Sequence, residues 1–236
     1  MKNMLHTPHK LEMTPFSELL QTAYASAYRT TWKKQYSMRV EVADTETFEL
    51  RDKEPAMVQS PGKGVACFHN PQREKVEIID FEHFVNQFSQ SLKAGQGMKC
   101  DFILTPLKHQ DFIILNEVSH LWERSLHQFR ESENFRGKLD KSFVQLTSSI
   151  EKLYHSQEIA SRLDKAKRKV ALFSVRLKDC PESTRKKYAP LKELATFLLP
   201  TTEQKAIIVE QGLPHGFVYE RRFYPNALSL NDAVRH

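Results

Sequence analysis

The chain has 236 residues, 40% of them hydrophobic and 27% charged, which is enough to bury one sizeable core. Seven glycines and the lack of biased repeats or long apolar runs exclude collagen-like, disordered and membrane-spanning classes. Lys plus Arg total 35 against 29 acids, and the net charge of +6 favours a polyanion partner, nucleic acid first and DNA ahead of RNA.

The first eight residues lack the apolar core of a signal peptide. Three widely spaced cysteines (Cys67, Cys100, Cys180) read as reduced thiols, so the expected setting is cytoplasmic, with no membrane. A helix is predicted over 14–35, with Thr14 as its cap, Pro15 at the first helical position and an apolar stripe of Phe16, Leu19, Leu20, Ala23 and Ala27. Residues 38–50 read as a weak strand, and 53–64, with Pro55, Pro61, Gly62 and Gly64, as a loop. Short strands at 64–68 and 75–79 flank a turn at Asn70 and Pro71.

Asp80 caps a second helix, where Phe81, Phe84, Val85, Phe88 and Leu92 recur at helical spacing up to Gly95 and Gly97. Two apolar strands, 100–105 and 112–118, enclose a turn at 106–111. A long helix is expected over 139–166, then a strand at 170–177, a helix near 191–199, a strand at 206–210 and an irregular tail. Interleaved strands and helices predict an α/β fold in a single domain, 1–236. The expected form is a three-layer α/β/α sandwich around a mixed sheet, with a central antiparallel hairpin and an N-terminal helix.

The hairpin concentrates the chemistry. Centring its turn on His109 sets Asp101 opposite Glu117 and Lys99 opposite Ser119. Side chains alternate along a strand, so all four share one face at the open end. The other hairpin positions are apolar on both faces, as in a central sheet element. Facing carboxylates repel and lose solvation, and a hard divalent cation, Mg²⁺ or Mn²⁺, would compensate.

The run Lys-Cys-Asp101-Phe-Ile-Leu, a turn, Phe-Ile-Ile-Leu-Asn-Glu117-Val-Ser119, a long helix and a strand resembles the PD-(D/E)xK nuclease superfamily over residues 64–178. The resemblance implies a metal-dependent endonuclease of defence or repair. Asp101 and Glu117 would be its metal ligands, with the Val118 carbonyl as a further one. It also implies an acid on the preceding helix, for which Glu82 is the candidate and Glu18 its rival. Ser119 stands where the superfamily has lysine. Lys99, on the opposite strand, is the candidate to carry that charge, and Lys138 and Lys141 on the following helix are further cations within reach. A rival reading keeps the fold without the chemistry, as a binding or scaffold subunit with a protein partner or as a homodimer.

Residues 162–187 hold ten Lys or Arg against three acids. Arg162, Lys165, Lys167, Arg168, Lys169, Arg185, Lys186 and Lys187 are the candidate phosphate contacts, with a solvated helix end as the plain alternative. A nucleic-acid-binding regulator acting through this segment alone is a third reading. Arg221 and Arg222 beside Tyr219, Phe223 and Tyr224 offer stacking plus charge, or simply a packed C-terminal segment. Cys67 and His69 have no partner pair at zinc spacing, and Pro61-Gly62-Lys63-Gly64 lacks the phosphate-loop pattern.

Overall fold

The computed structural model describes residues 14–89, 94–121, 137–177 and 207–231. The N-terminal helix begins as α1 (Phe16–Leu19), loosens into a π-helical stretch (Leu20–Tyr24) and ends as α2 (Ala25–Ala27), short of the predicted 35. Thr14 is not its cap. The carboxylate of Glu77, 61 residues away, accepts from the Phe16 backbone N–H at 2.9 Å, the Ser17 N–H at 3.4 Å and the Ser17 hydroxyl. An acceptor there satisfies the free amides of the first turn.

The predicted weak strand at 38–50 divides into β1 (Val40–Ala43) and β2 (Thr47–Leu50), which enter different sheets. β3 (Val58–Gln59), β4 (Ala66–His69) and β5 (Val76–Asp80) follow. β4 and β5 also part company, so the turn at Asn70 is a crossing between sheets rather than a hairpin. Asp80 caps α3 (Phe81–Asn86) as expected, its Oδ1 accepting from the His83 N–H at 2.8 Å.

β6 (Phe102–Pro106) and β7 (Phe112–Leu121) form the predicted hairpin. The single long helix is instead two, α4 (Lys138–Tyr154) and α5 (Gln157–Asp164). Ser156 adopts an extended backbone between them and caps α5 through its hydroxyl, which accepts from the Ile159 N–H. β8 (Arg168–Leu177), β9 (Ile207–Gly212), β10 (Val218–Phe223) and β11 (Leu228–Ser229) complete the chain. The tail read as irregular therefore supplies two strands, while the helix expected at 191–199 lies outside the described residues.

Among the described residues the main sheet has seven strands, in the order β1-β5-β6-β7-β8-β10-β9. β1, β5, β6 and β7 run antiparallel, β7, β8 and β10 run parallel, and β9 returns antiparallel on β10. This is the mixed sheet with a central hairpin, and the fold is α/β. A second, four-stranded sheet has the order β11-β4-β2-β3.

Alternation along the strands separates two cores. Ile103, Ile113, Leu115, Ala171 and Phe173 pack with Leu146, Ile150 and Leu153 of α4, Ile159 and Leu163 of α5, and Phe16, Leu20 and Tyr24 of the N-terminal helix. On the opposite face Ile78, Phe102, Leu104, Ile114 and Leu172 pack with Phe48, Leu50, Ala66, Phe68 and Leu228 of the smaller sheet. Among the described residues, then, helices cover one face only. The second face is covered by strands where the sequence pattern predicted helices, because β2 and β4 bring an apolar face with no helical period.

Candidate metal centre

The hairpin register is the predicted one: Phe102 pairs with Asn116, Ile103 with Leu115 and Leu104 with Ile114. Asp101 is the residue before β6, and its carboxylate turns toward β7. Oδ2 accepts from the Val118 N–H at 2.7 Å. Its backbone carbonyl accepts from the Phe81 N–H at 2.8 Å and the Glu82 N–H at 3.3 Å. Asp101 thus joins the start of α3 to the hairpin, and Glu82 arrives beside it for that reason. Val118 enters the site through its amide; the carbonyl role implied by the resemblance is a separate matter.

Glu117 is 6% exposed and lies on the helix-facing side of β7. Its buried Oε2 has no hydrogen-bond partner. An orphaned carboxylate oxygen in such a place is costly unless protonated or met by a cation. Burial first, and then the charge of Glu117, hold the Asp101 carboxyl far above the usual carboxylate range. Burial also pushes Glu117 up, with Lys138 at the start of α4 opposing, Glu82 reinforcing the shift, and the adjacent Gln145 side chain of α4 opposing it.

A fourth acid joins them. Asp52 follows β2, and carboxylate oxygens of Asp52, Glu82 and Asp101 lie within 4.8 Å of one another. The loop is brought there by Arg39, which donates to Asp80 Oδ2 at 2.8 Å and to the Glu54 carbonyl at 2.7 Å, tying the loop to the cap of α3. Burial and then Asp52 raise the Glu82 carboxyl, with Lys53 and Lys99 opposing. Sequence reading missed Asp52. It sits in a Pro-containing loop of the other sheet, and no spacing or periodicity links it to the hairpin.

Lys99 and Ser119 are both buried, each 9% exposed. The strand end carrying Lys99 is held by α4. Gln145 donates to the Lys99 carbonyl at 3.1 Å, Ser148 to the Met98 carbonyl at 2.8 Å, and Ser149 accepts from the Cys100 N–H at 2.8 Å. Burial lowers the pKa of the Lys99 ammonium, and the charge of Glu82 opposes this. Lys99 therefore feels the helix acid, while Lys138 acts on Glu117. Lys141 lies one turn further along α4. Glu18 is exposed on α1 and does not join the acidic group.

Among the described residues, the basic positions 162–169 are not brought to these carboxylates. Arg168 pairs with Phe112 and Phe173 with Glu117, so the Arg168 end of β8 lies five residues, about 16 Å, along the strand. Lys167 pairs with Asp111 at 2.6 Å, Arg168 donates to the Ser229 carbonyl at 2.5 Å, and Lys169 donates to Asp164, Tyr154 and the His215 carbonyl. Arg162 is partly buried with its charge against Glu77, and Lys165 is exposed. Arg185, Lys186 and Lys187 lie outside the described residues. Arg222 bonds Glu220 and the Ala227 carbonyl, which is the packed C-terminal alternative.

An all-oxygen donor set with one orphaned oxygen fits a hard divalent cation. No family model matches this chain, and no significant match is found among curated proteins or solved structures.

Proposed function

We propose that the chain hydrolyses phosphodiester bonds of nucleic acid, DNA ahead of RNA, with Mg²⁺ or Mn²⁺ held by Asp101 and Glu117. The observation that carries this reading is the buried Glu117 Oε2 without a partner, next to an Asp101 already fixed by the Val118 N–H. The order of hairpin, long helix and parallel strand supports it, since this is the sequence of elements on which the nuclease resemblance rests.

A bound cation would lower the pKa of an attacking water and offset phosphate charge. The chain's own residues set up the rest. The Val118 amide holds Asp101 in one orientation, so its second oxygen is presented without searching rotamers. Glu82 sits on the first turn of α3 and is positioned by the Asp101 carbonyl. Lys99 brings an ammonium to a site where Ser119 can give only a hydroxyl. The net charge of +6 favours a polyanionic substrate.

Ser119 specifically favours a second reading, in which the fold is kept as a non-catalytic subunit that binds nucleic acid or a protein partner. Incubation with plasmid and RNA in Mg²⁺ or Mn²⁺, then with chelator, separates the two. Cleavage is expected with metal and is lost on chelation. Glu117→Ala and Asp101→Ala are each expected to fall to background while keeping the parent circular dichroism. A well-folded Glu117→Ala protein that cleaves at the parent rate would sink the hydrolase reading.

A further inference from the structure

We propose that Arg221 is a phosphate-binding residue, seating a backbone phosphate of nucleic acid on the β10 side of the Asp101–Glu117 site. This rests on the nucleic-acid reading of that site and adds the group that would grip the substrate. Two strand pairings fix where Arg221 stands. Phe173 of β8 pairs with Glu117 of β7 on one side and with Arg221 of β10 on the other. Partners across a ladder share a face, so Glu117, Phe173 and Arg221 form one row on the helix-facing side of the sheet. Tyr219 and Phe223, two residues to either side of Arg221, pack in the helix-facing core, which is the same face. Two strand spacings, about 9.5 Å, separate the outer backbones of the row.

Both ends of this row are unsatisfied, with opposite charge. Glu117 has its orphaned Oε2, and the Nε of Arg221 is buried without a partner. Among the described residues the half-buried Arg221 guanidinium makes no hydrogen bond or ion pair, and the ring of Phe223 lies 5.6 Å from it. Arg222, on the opposite face, bonds Glu220 and the Ala227 carbonyl instead. Burial lowers the pKa of the Arg221 guanidinium, as expected of a cation drawn from water with no carboxylate beside it. The two charges do not pair with each other, because the fully buried Phe173 stands between them. A charge withdrawn from water without a partner is costly, so each needs its own counter-ion. A hard cation answers Glu117 and an anion answers Arg221. A phosphate bound to both satisfies the whole row.

A guanidinium presents a rigid planar fork that matches phosphate oxygens two at a time. The position also suits a ligand. β7, β8 and β10 are parallel, and Glu117 and Arg221 lie toward their carboxyl ends, where open α/β sheets take ligands. α4 begins over the same end: its Ser142 hydroxyl lies 3.3 Å from the Tyr219 hydroxyl, and its first residue, Lys138, acts on Glu117. A nucleic-acid strand crossing these ends from β7 meets the carboxylate-bound cation first and Arg221 next. In the sequence Arg221 and Arg222 form one basic and aromatic stretch; the alternation of β10 turns one to packing and leaves the other for a ligand.

Binding of a fluorescein-labelled DNA duplex, and of the matching RNA, in chelator and over a salt series tests this by anisotropy without metal or cleavage. Arg221→Met is expected to weaken binding by about tenfold. Its log–log salt slope on DNA is expected to flatten by about 0.9. Mn²⁺ affinity, read separately, is expected to stay at the parent value. Arg221→Lys keeps the charge, so it is expected to keep the slope and lose part of the affinity. Thermal melts without nucleic acid separate a ligand role from a structural one. Methionine removes an uncompensated cation, so Arg221→Met is expected to melt at or above the parent temperature. Parent affinity and slope in Arg221→Met would overturn the proposal. So would an Arg221→Met protein that melts well below the parent, or a parent that binds neither DNA nor RNA. Binding that needs Arg221, in a protein that cleaves nothing, would leave this proposal standing and remove the hydrolase reading. Cleavage with binding indifferent to Arg221 would do the reverse.

Discussion

Lys99 carries its charge into the site from the strand facing Ser119, and the structure sets it against Glu82, with Lys138 taking the side of Glu117. If Lys99 serves the reacting phosphate or water, Lys99→Met is expected to lower the turnover rate by about a hundredfold with cation affinity little changed. Single-turnover cleavage beside Mn²⁺ titration reads the two effects separately, and parent turnover in that variant removes Lys99 from the mechanism. Lys138→Met is the control, since its loss leaves Glu117 without its opposing charge and is expected to alter cation binding instead. The hairpin register that brings Asp101 to the Glu117 end of β7 was legible in the sequence because a hairpin with an apolar pattern on both faces fixes its own register once the turn is centred. Glu82 was legible as a first-turn acid next to the cap Asp80. Asp52 was not, because the Arg39 bridge that delivers it is a tertiary contact with no trace in local spacing. The surroundings of the basic residues at 167–169 were hidden for another reason. A run of basic residues reads as one surface, yet in strand and turn geometry their side chains find Asp111, the Ser229 carbonyl, Asp164 and Tyr154 separately.

Glu77 links one element to another, and it carries a pH signature. Burial pushes its carboxyl above the ordinary value of 4.5, against the hydrogen bonds from Ser17 and Phe16 and the charge of Arg162. The folded chain then holds a proton that the unfolded chain has released. The stability this gives is complete below the ordinary value and is lost as the pH rises through the raised one. Glu77→Gln keeps an oxygen for the Phe16 and Ser17 amides but cannot titrate. Its stability relative to the parent is expected to improve as pH rises above 4.5, read from urea midpoints at a series of pH values. A constant difference across that range would show that Glu77 titrates alike in both states. The hairpin, the Asp80 cap and β8 were readable from the sequence through apolar period and punctuation. The break between α4 and α5 was overlooked because the apolar stripe continues across it, through Leu153 to Ile159 and Leu163, while Ser156 acts as a cap only if the chain turns there.

Across the whole molecule the main sheet is shared by two cores, so the smaller sheet is no independent unit. Phe68 stacks on Phe48 with ring centroids 5.1 Å apart and lies in the same cluster as Ile78, Phe102 and Leu104 of the main sheet. Phe68→Ala is expected to cost about 3–5 kcal/mol, in one cooperative transition seen alike by circular dichroism and tryptophan fluorescence. Two separated transitions would show that the sheets unfold apart. The second sheet was hidden in the sequence because its four strands are short and scattered from Thr47 to Ser229, and β11 joins β4 only after nearly the full chain has passed. The cap on the first helix has a comparable reach. An isolated helix of that length is marginal in water, and this one borrows its terminal acceptor from β5. During synthesis, the segment 14–27 leaves the ribosome well before Glu77 exists to receive its amides. The first described helix therefore cannot complete its cap until residue 77 has been made and β5 has brought the carboxylate back to it.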